Sequence, residues 1–440
     1  MKILYLADIR FPLERANGIQ SIETCHALAS RGHDVTLIVK PDTHTPPRDP
    51  YEFYGLTRIP SLHVEIAPIT GPAAAQRAGY LTFTIGRSIG RTRQDVIFTR
   101  DLGLASLLLN VPASMRAPMV YEAHTIAADA AAARPQLLTG AEPASAAKLR
   151  RLAKRDERVW KHAEGYVTIT DGLRAEMQQR FGPRTRVAVV PDGVRAAAAD
   201  SADEDKGADH AEDADSSMGA DYAEHADSQR TSDVGRRTSD LGRRTSDLGP
   251  RTSGFTIGYA GHLYPWKGVE AIVEAVAALP DARALIVGGH DKEPDLDRVK
   301  AFAEQLNVAS RITFTGMIPP ADVAARLATA DVLVLPNPKS AISSEFTSPL
   351  KLFEYMASGR PIVASDLPAI REVLRDAENA LLVEPGNAQA LAAGIQRIMD
   401  DTALGARLAA QARLDVQAFT WAKRAGRLEA LFATVTGTAS

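Results

Sequence analysis

A single cysteine, Cys25, stands in 440 residues, which excludes an internal disulfide and any cysteine-rich metal site. It lies in a helical pattern, where packing is its expected use. No apolar run reaches the length of a membrane span, and Asp8 and Arg10 interrupt the N-terminal MKILYLADIRF too early for a secretory signal. The expectation is a cytoplasmic protein. No complete G-x-G-x-x-G follows the first apolar run, which argues against a simple dehydrogenase. Nor does any group of His, Asp and Glu resemble a dedicated metal site.

What is present is a chain longer than one hydrophobic core normally serves, with 45% hydrophobic residues, so two domains are expected. The formal charge of -3 conceals an asymmetry. Residues 200 to 228 carry eleven acids against one base, Lys206, a net of -10, which leaves +7 on the remainder. A mildly basic body suits phosphate-bearing ligands or an anionic membrane surface, and no nucleic-acid partner is expected.

The stretch around which the chain is organised is SSEFTSPLKLFEYMASGRPIVASD, residues 343 to 366. Ser348 can cap a helix with Pro349 at its first position, because the missing proline N–H costs nothing there and the serine hydroxyl satisfies an orphan donor. The helix is expected to run through Leu350 to Gly359. Its N-terminus, with Lys351 in the first turn, favours an anion such as a diphosphate. Glu354, one turn on, is placed to accept hydrogen bonds from a ribose diol. Nucleotide binding is the first inference.

Apolar runs at 2–7, 34–39, 61–67, 95–99, 117–123, 165–170 and 186–190 read as buried parallel strands with helical patterns between most of them. RANGIQS places Gly18 just before a helix reaching Ser30; the glycine either lets backbone N–H groups approach an anion or marks an ordinary strand-to-helix turn. Alternating strands and helices imply a doubly wound α/β sheet with ligands beyond the carboxyl ends of the strands. That rule selects Arg100, Glu122, His124, Thr170 and Asp171. The helix KLRRLAKRDERVWKHA, residues 148 to 163, sets Lys148, Arg151, Arg155 and Arg158 on a different face from Leu149, Leu152, Val159 and Trp160. Packing on the domain with a solvated basic face is the favoured reading, and contact with anionic lipid is the alternative.

After VVPDGVR the pattern breaks. Residues 196 to 253 are rich in Ala, Asp, Ser and Gly and then repeat RTSDVGR, RTSDLGR and RTSDLGP. Too little apolar content remains to offset ordering entropy, so a disordered insertion is expected. A second strand series follows: FTIGYAG, ARALIVGG, RITFTGMI, ADVLVLPN, RPIVASD and NALLVEP. The expected organisation is a first domain over 1–195, the insertion over 196–253, a second domain over 254–418, and a helix over 419–440 that crosses back.

Taken in order, the Gly18 loop, YEAHT, VVPDGV, WKG, TFTG and SPLKLFEYMASGRPIV resemble the retaining glycosyltransferases of family 4, which have the two-domain GT-B fold. The resemblance implies transfer of a sugar from a UDP- or GDP-sugar donor to a glycan, lipid or small-molecule acceptor, with no cofactor and no required metal. It places His124 on the acceptor side, where the strand-end rule also sets Arg100 and Glu122, with Lys267 and His262 at the donor diphosphate and main chain around Gly316, Met317 and Ile318 at the nucleobase. His262 stands where the family usually has arginine. Glu354 matches the second glutamate of the family pair, whereas the place of the first is held by Phe346, with Glu345 one position away. Glu345 is read either as a sugar contact or as a solvated loop carboxylate. Two alternatives stay open: a nucleotide-sugar epimerase or hydrolase, and a catalytically silent nucleotide-sugar-binding protein.

The insertion supplies little apolar surface, so replacing residues 200–250 with a short Gly/Ser linker is expected to leave the melting temperature unchanged. A large drop, read by differential scanning fluorimetry, would show that the segment packs on the body.

Overall fold

The computed structural model describes residues 1–90, 94–195, 254–290, 293–340 and 350–438. The insertion, and Glu345, Phe346, Ser348 and Pro349 of the central motif, lie outside the described residues. The first sheet has seven strands: β1 (Lys2–Arg10), β2 (Asp34–Lys40), β3 (Leu62–Ile66), β4 (Val96–Thr99), β5 (Met119–Ala123), β6 (Gly165–Thr168) and β7 (Val187–Val189). All neighbours pair in parallel, in the order β3-β2-β1-β4-β5-β6-β7. The second sheet, also parallel, runs β10-β9-β8-β11-β12-β13. Its strands are β8 (Phe255–Ala260), β9 (Ala282–Val287), β10 (Ile312–Phe314), β11 (Val332–Leu335), β12 (Ile362–Ser365) and β13 (Leu381–Val383). The chain thus folds as two doubly wound, Rossmann-like α/β domains. In each, strand order reverses beside the first strand, where a ligand crevice opens at the carboxyl ends.

Local chemistry adjusts two expectations. β1 continues past Asp8 to Arg10 because the Asp8 carboxylate pairs with Lys40 instead of facing water. Gly18 sits inside the first turn of the helix Ala16–Ser30, not before it. A Cβ there would come within 2.5 Å of both the Leu13 carbonyl oxygen and the Tyr54 hydroxyl, so close packing of the preceding loop demands glycine.

The basic helix spans Ala146–His162 and buries Asp156, Val159 and Trp160, which fixes its apolar side in the first domain. Asp156 accepts a hydrogen bond from the Ala128 N–H at 3.3 Å, and burial raises its carboxyl to about 7. Among the described residues no helix is long and apolar enough to cross a membrane.

The last helix, Trp421–Thr436, inserts Trp421, Ala425, Leu428 and Phe432 into the core formed around β1, β2 and the helix Ala16–Ser30. On the same buried side stands Arg424, 2% exposed. Its guanidinium pairs with Glu122 at the end of β5 and donates to the Val190 carbonyl at 2.8 Å, the Pro191 carbonyl at 2.9 Å and the Thr24 hydroxyl at 3.1 Å. One side chain therefore ties the end of the chain to three separate segments of the first domain.

Removing one partner of such a buried pair strands the other charge, at a cost of about 3–5 kcal/mol. Arg424→Met should lose stability on that scale in urea unfolding. A loss below about 1 kcal/mol would show that the pair is not a tie.

Candidate functional site

The crevice beside β8 begins with the turn GHLYPWKG, residues 261 to 268. Tyr259, buried in β8, donates its hydroxyl to the His262 carbonyl at 2.7 Å, while the Tyr355 hydroxyl accepts the Ala260 N–H at 2.7 Å. Pro265–Lys267 form one 3-10 turn that closes on Gly268 at φ +70°. A Cβ at Gly268 would lie 2.0 Å from the Pro336 carbonyl oxygen, so only glycine lets this turn press against the end of β11. Asn337 completes the clamp by donating to the Trp266 carbonyl at 3.3 Å. The position of Lys267 is thereby set by the ends of two adjacent strands.

A cavity of about 200 Å³ opens there. His262, Lys267, Met317, Ile318, Leu350, Lys351 and Glu354 line it, so the structure gathers these expected donor-side residues at one place. Gly316 is not in the lining; at φ +68° it bridges Gly288 and turns the chain so that Met317 and Ile318 enter the wall. Gly18 is also outside the lining, and its neighbours Arg15, Ala16 and Ile19 are the ones that face the cavity.

The electrostatics of the lining are unusual. Lys351 lies on the buried side of the helix Leu350–Ala357, 8% exposed, with its ammonium 4.1 Å from the Tyr259 ring centroid and, among the described residues, no hydrogen-bond partner. Lys267 has its ammonium 3.5 Å from the centroid of the Trp266 ring. Burial pushes Lys267 down to about 7; burial and the charge of Lys267 push Lys351 well below the usual lysine range, with Glu354 opposing. Burial and Glu23 raise Glu354 to about 6 against Lys351 and Arg195. His262 stacks on Tyr264 at 4.9 Å, and burial lowers its imidazole although Glu293 stands 3.3 Å away.

Residues not anticipated from the sequence complete the site. Arg15 of the first domain forms an ion pair with Glu293 of the second at 2.9 Å, and Tyr264 donates to the same carboxylate at 2.8 Å. Arg15 belongs to no recognisable motif. Thr139 likewise reaches across to Asp295 at 2.7 Å.

The expected acceptor-side residues form a separate cluster. His124 meets the buried carboxylate of Glu122 and lies 3.3 Å from the Gln20 side-chain nitrogen, while Arg100 donates to the Gln20 carbonyl oxygen. Burial alone would raise the Glu122 carboxyl, but Arg424, His124 and Arg100 hold it well below the usual range. The imidazole of His124 is lowered by burial and by Arg100, against Glu122. Glu122 is 1% exposed, so it orients His124 from beneath instead of presenting a surface of its own. Gln20 was missed: a glutamine inside an amphipathic helix carries no sequence signal.

Residues 19–197 match the family model described as Glycosyltransferase Family 4, and residues 254–401 match that described as Glycosyl transferases group 1. These matches support a family 4, GT-B glycosyltransferase. A phosphatidyl-myo-inositol mannosyltransferase of Mycobacterium tuberculosis is 33% identical over 39% of this chain and 45% of its own length. The D-inositol 3-phosphate glycosyltransferase of Corynebacterium glutamicum is 29% identical over 40% and 42% respectively. The chain spans less than half the length of these curated relatives. Among solved structures, sucrose-phosphate synthase from Thermosynechococcus elongatus superposes with a TM-score of 0.71 at 19% identity over 100% of both chains. HepE of Anabaena, solved with UDP and glucose, gives 0.66 at 18% over 99% of this chain and 100% of that one. The structural neighbours are GT-B glycosyltransferases, and the fold is theirs.

Because burial raises Glu354 in the folded protein, its charged form opposes folding. The penalty is absent below the unfolded value near 4.5 and complete above about 6. Glu354→Gln should therefore stabilise the ligand-free protein by about 1–2 kcal/mol at pH 7.5 and by much less at pH 5. Equal effects at both pH values in urea unfolding would remove this assignment.

Proposed function

We propose that the chain is a glycosyltransferase that moves a sugar from a nucleoside-diphosphate donor, a UDP- or GDP-sugar, to a glycan, lipid or small-molecule acceptor with retention at the anomeric carbon. The observation that carries this reading is the cavity beside β8, where Lys267 and Lys351 point ammonium groups inward with no carboxylate ion pair on either among the described residues. A buried cation without a partner costs free energy, and an entering diphosphate offsets that cost. The match to glycosyltransferase families across both domains supports it, as does the binding of UDP and glucose by HepE.

In this reading the leaving diphosphate develops charge as the glycosidic bond breaks, and Lys267 and Lys351 stabilise it electrostatically. His262 contributes a neutral hydrogen bond near pH 7. Glu354 accepts the ribose hydroxyls, and main chain at Met317 and Ile318 contacts the base. His124, held by Glu122 and Gln20, faces the acceptor and the donor sugar. Ser348 and Pro349 are assigned to the diphosphate from the helix start their residue types favour, and Glu345, one position from the family's first glutamate, is offered as a sugar contact.

Lys267→Ala should lower turnover by about a hundredfold or more, on the order of 3 kcal/mol of transition-state stabilisation. The substrate is found first by a thermal-shift panel of nucleotide sugars, since a ligand at a hundredfold its Kd stabilises by about 2.7 kcal/mol. Near-normal turnover of Lys267→Ala would remove the lysine from the reaction. Nucleotide released without acceptor would point to a hydrolase instead.

A further inference from the structure

The two lysines of the cavity pose a problem that the donor reading by itself does not resolve. Lys351 rises from a buried helix face past Gly261, where even a Cβ would stand 3.3 Å from its nitrogen, and Lys267 arrives from a turn clamped on two strand ends. Their ammonium groups face one cavity and repel one another. Around Lys351 the near groups are the Tyr259 ring, Lys267, and Glu354 one turn along the same helix. Glu354 in turn faces Glu23 and Arg195, which pair with one another at 2.6 Å. Around Lys267 the near groups are the Trp266 ring and His262; Glu293, the carboxylate nearest His262, is taken by Arg15 and Tyr264. Glu14 also lines the cavity, with its carboxylate engaged by Arg48. Among the described residues Glu354 is the one lining carboxylate that no other side chain engages, and a single carboxylate cannot hold two protonated lysines.

We propose that a diphosphate enters this cavity together with a proton, which the Lys267–Lys351 pair takes up, with Lys351 as the second phosphate-binding cation. The inference builds on the donor reading but requires only an anion of pyrophosphate type. Desolvation already pushes both lysines toward the neutral amine, and two negative phosphates reverse that preference. The reaction is balanced: one proton from solvent joins one amine lone pair, and no bond of the ligand changes. The ammonium is favoured by the ligand, so uptake occurs between the free and bound titration midpoints. Affinity therefore falls as pH rises through that window, about tenfold per pH unit for one proton.

The test uses the full chain with 13C-lysine labelling and inorganic pyrophosphate, UDP and GDP as probes. The Cε resonances of Lys267 and Lys351 are assigned by their loss in Lys267→Met and Lys351→Met, with melting temperatures confirming that both variants fold. In free protein at least one should titrate below pH 9, and saturating pyrophosphate should raise that midpoint by at least one pH unit. Titration calorimetry with UDP and GDP, whose phosphates carry no proton at pH 8, in HEPES and in Tris should show proton uptake for the wild type and none for Lys351→Met, whose affinity should fall at least tenfold. Both resonances titrating near the ordinary lysine value, or a binding enthalpy independent of buffer, would overturn the proposal. A midpoint raised by pyrophosphate but no binding of UDP or GDP would uphold it while removing the nucleotide-donor reading. Failure of all three ligands to bind would overturn both.

Discussion

A carboxylate as deeply buried as that of Glu122 is tolerated only because a guanidinium from the other end of the chain meets it. Arg424 has to be there, and to be there the helix Trp421–Thr436 must lie in the first domain's core. That placement also satisfies the carbonyls of Val190 and Pro191 just before the chain leaves the first domain. The same carboxylate receives Gln20 and His124 on its other oxygen, so the tie that closes the fold also sets the ring orientation of the histidine. Stability and the candidate site meet at one ion pair.

The second domain uses charge in the opposite way. Where Arg424 is paired with its carboxylate and saturated by carbonyls, Lys351 and Lys267 each meet an aromatic face and, among the described residues, no ion-pair partner. A core arginine without a partner would simply destabilise the protein. A cavity lysine without one stores affinity for an anion, because the desolvation penalty has already been met in the fold. The difference between the two cations is access: one is sealed beneath a sheet end, the other opens on a cavity.

Most strands were legible because buried parallel strands appear as continuous apolar runs; β3, at the edge of its sheet, alternates polar and apolar residues instead. Lys267 was singled out by the family resemblance of WKG, and Lys351 and Glu354 by the helix start expected before them; all three line one cavity. What escaped was every contact whose partners are remote in sequence. Glu122 and Arg424 are 302 positions apart, and Arg15 and Glu293 are 278 apart. A trace of the first pair was present, since Arg424 stands on the same helical side as Trp421, Ala425 and Leu428, where a charge is out of place unless it is paired. Arg15 left no such trace, because a loop arginine is unremarkable until the opposite domain supplies a carboxylate. Gly18 left two uses open for a physical reason: glycine serves close packing inside a helix as readily as close approach to an anion, and sequence alone does not separate them.

The helix Ala16–Ser30 makes the two halves of the site one system. Ile19 lines the cavity, Gln20 grips Glu122 and His124, and Glu23, one turn further, bears on Glu354 while paired with Arg195. Three residues within five positions thus touch the donor-side cavity, the acceptor-side histidine and the carboxylate assigned to the ribose. A rigid helix cannot shift one of these without shifting the others, and its own position is fixed by Arg424 through Thr24. Movement of the first domain against the second would therefore carry Ile19, Gln20 and Glu23 as a unit. The relative placement of His124 and Lys267 is then governed by the fold of the domains and not by adjustable side chains, which is the condition that transfer between two bound molecules demands.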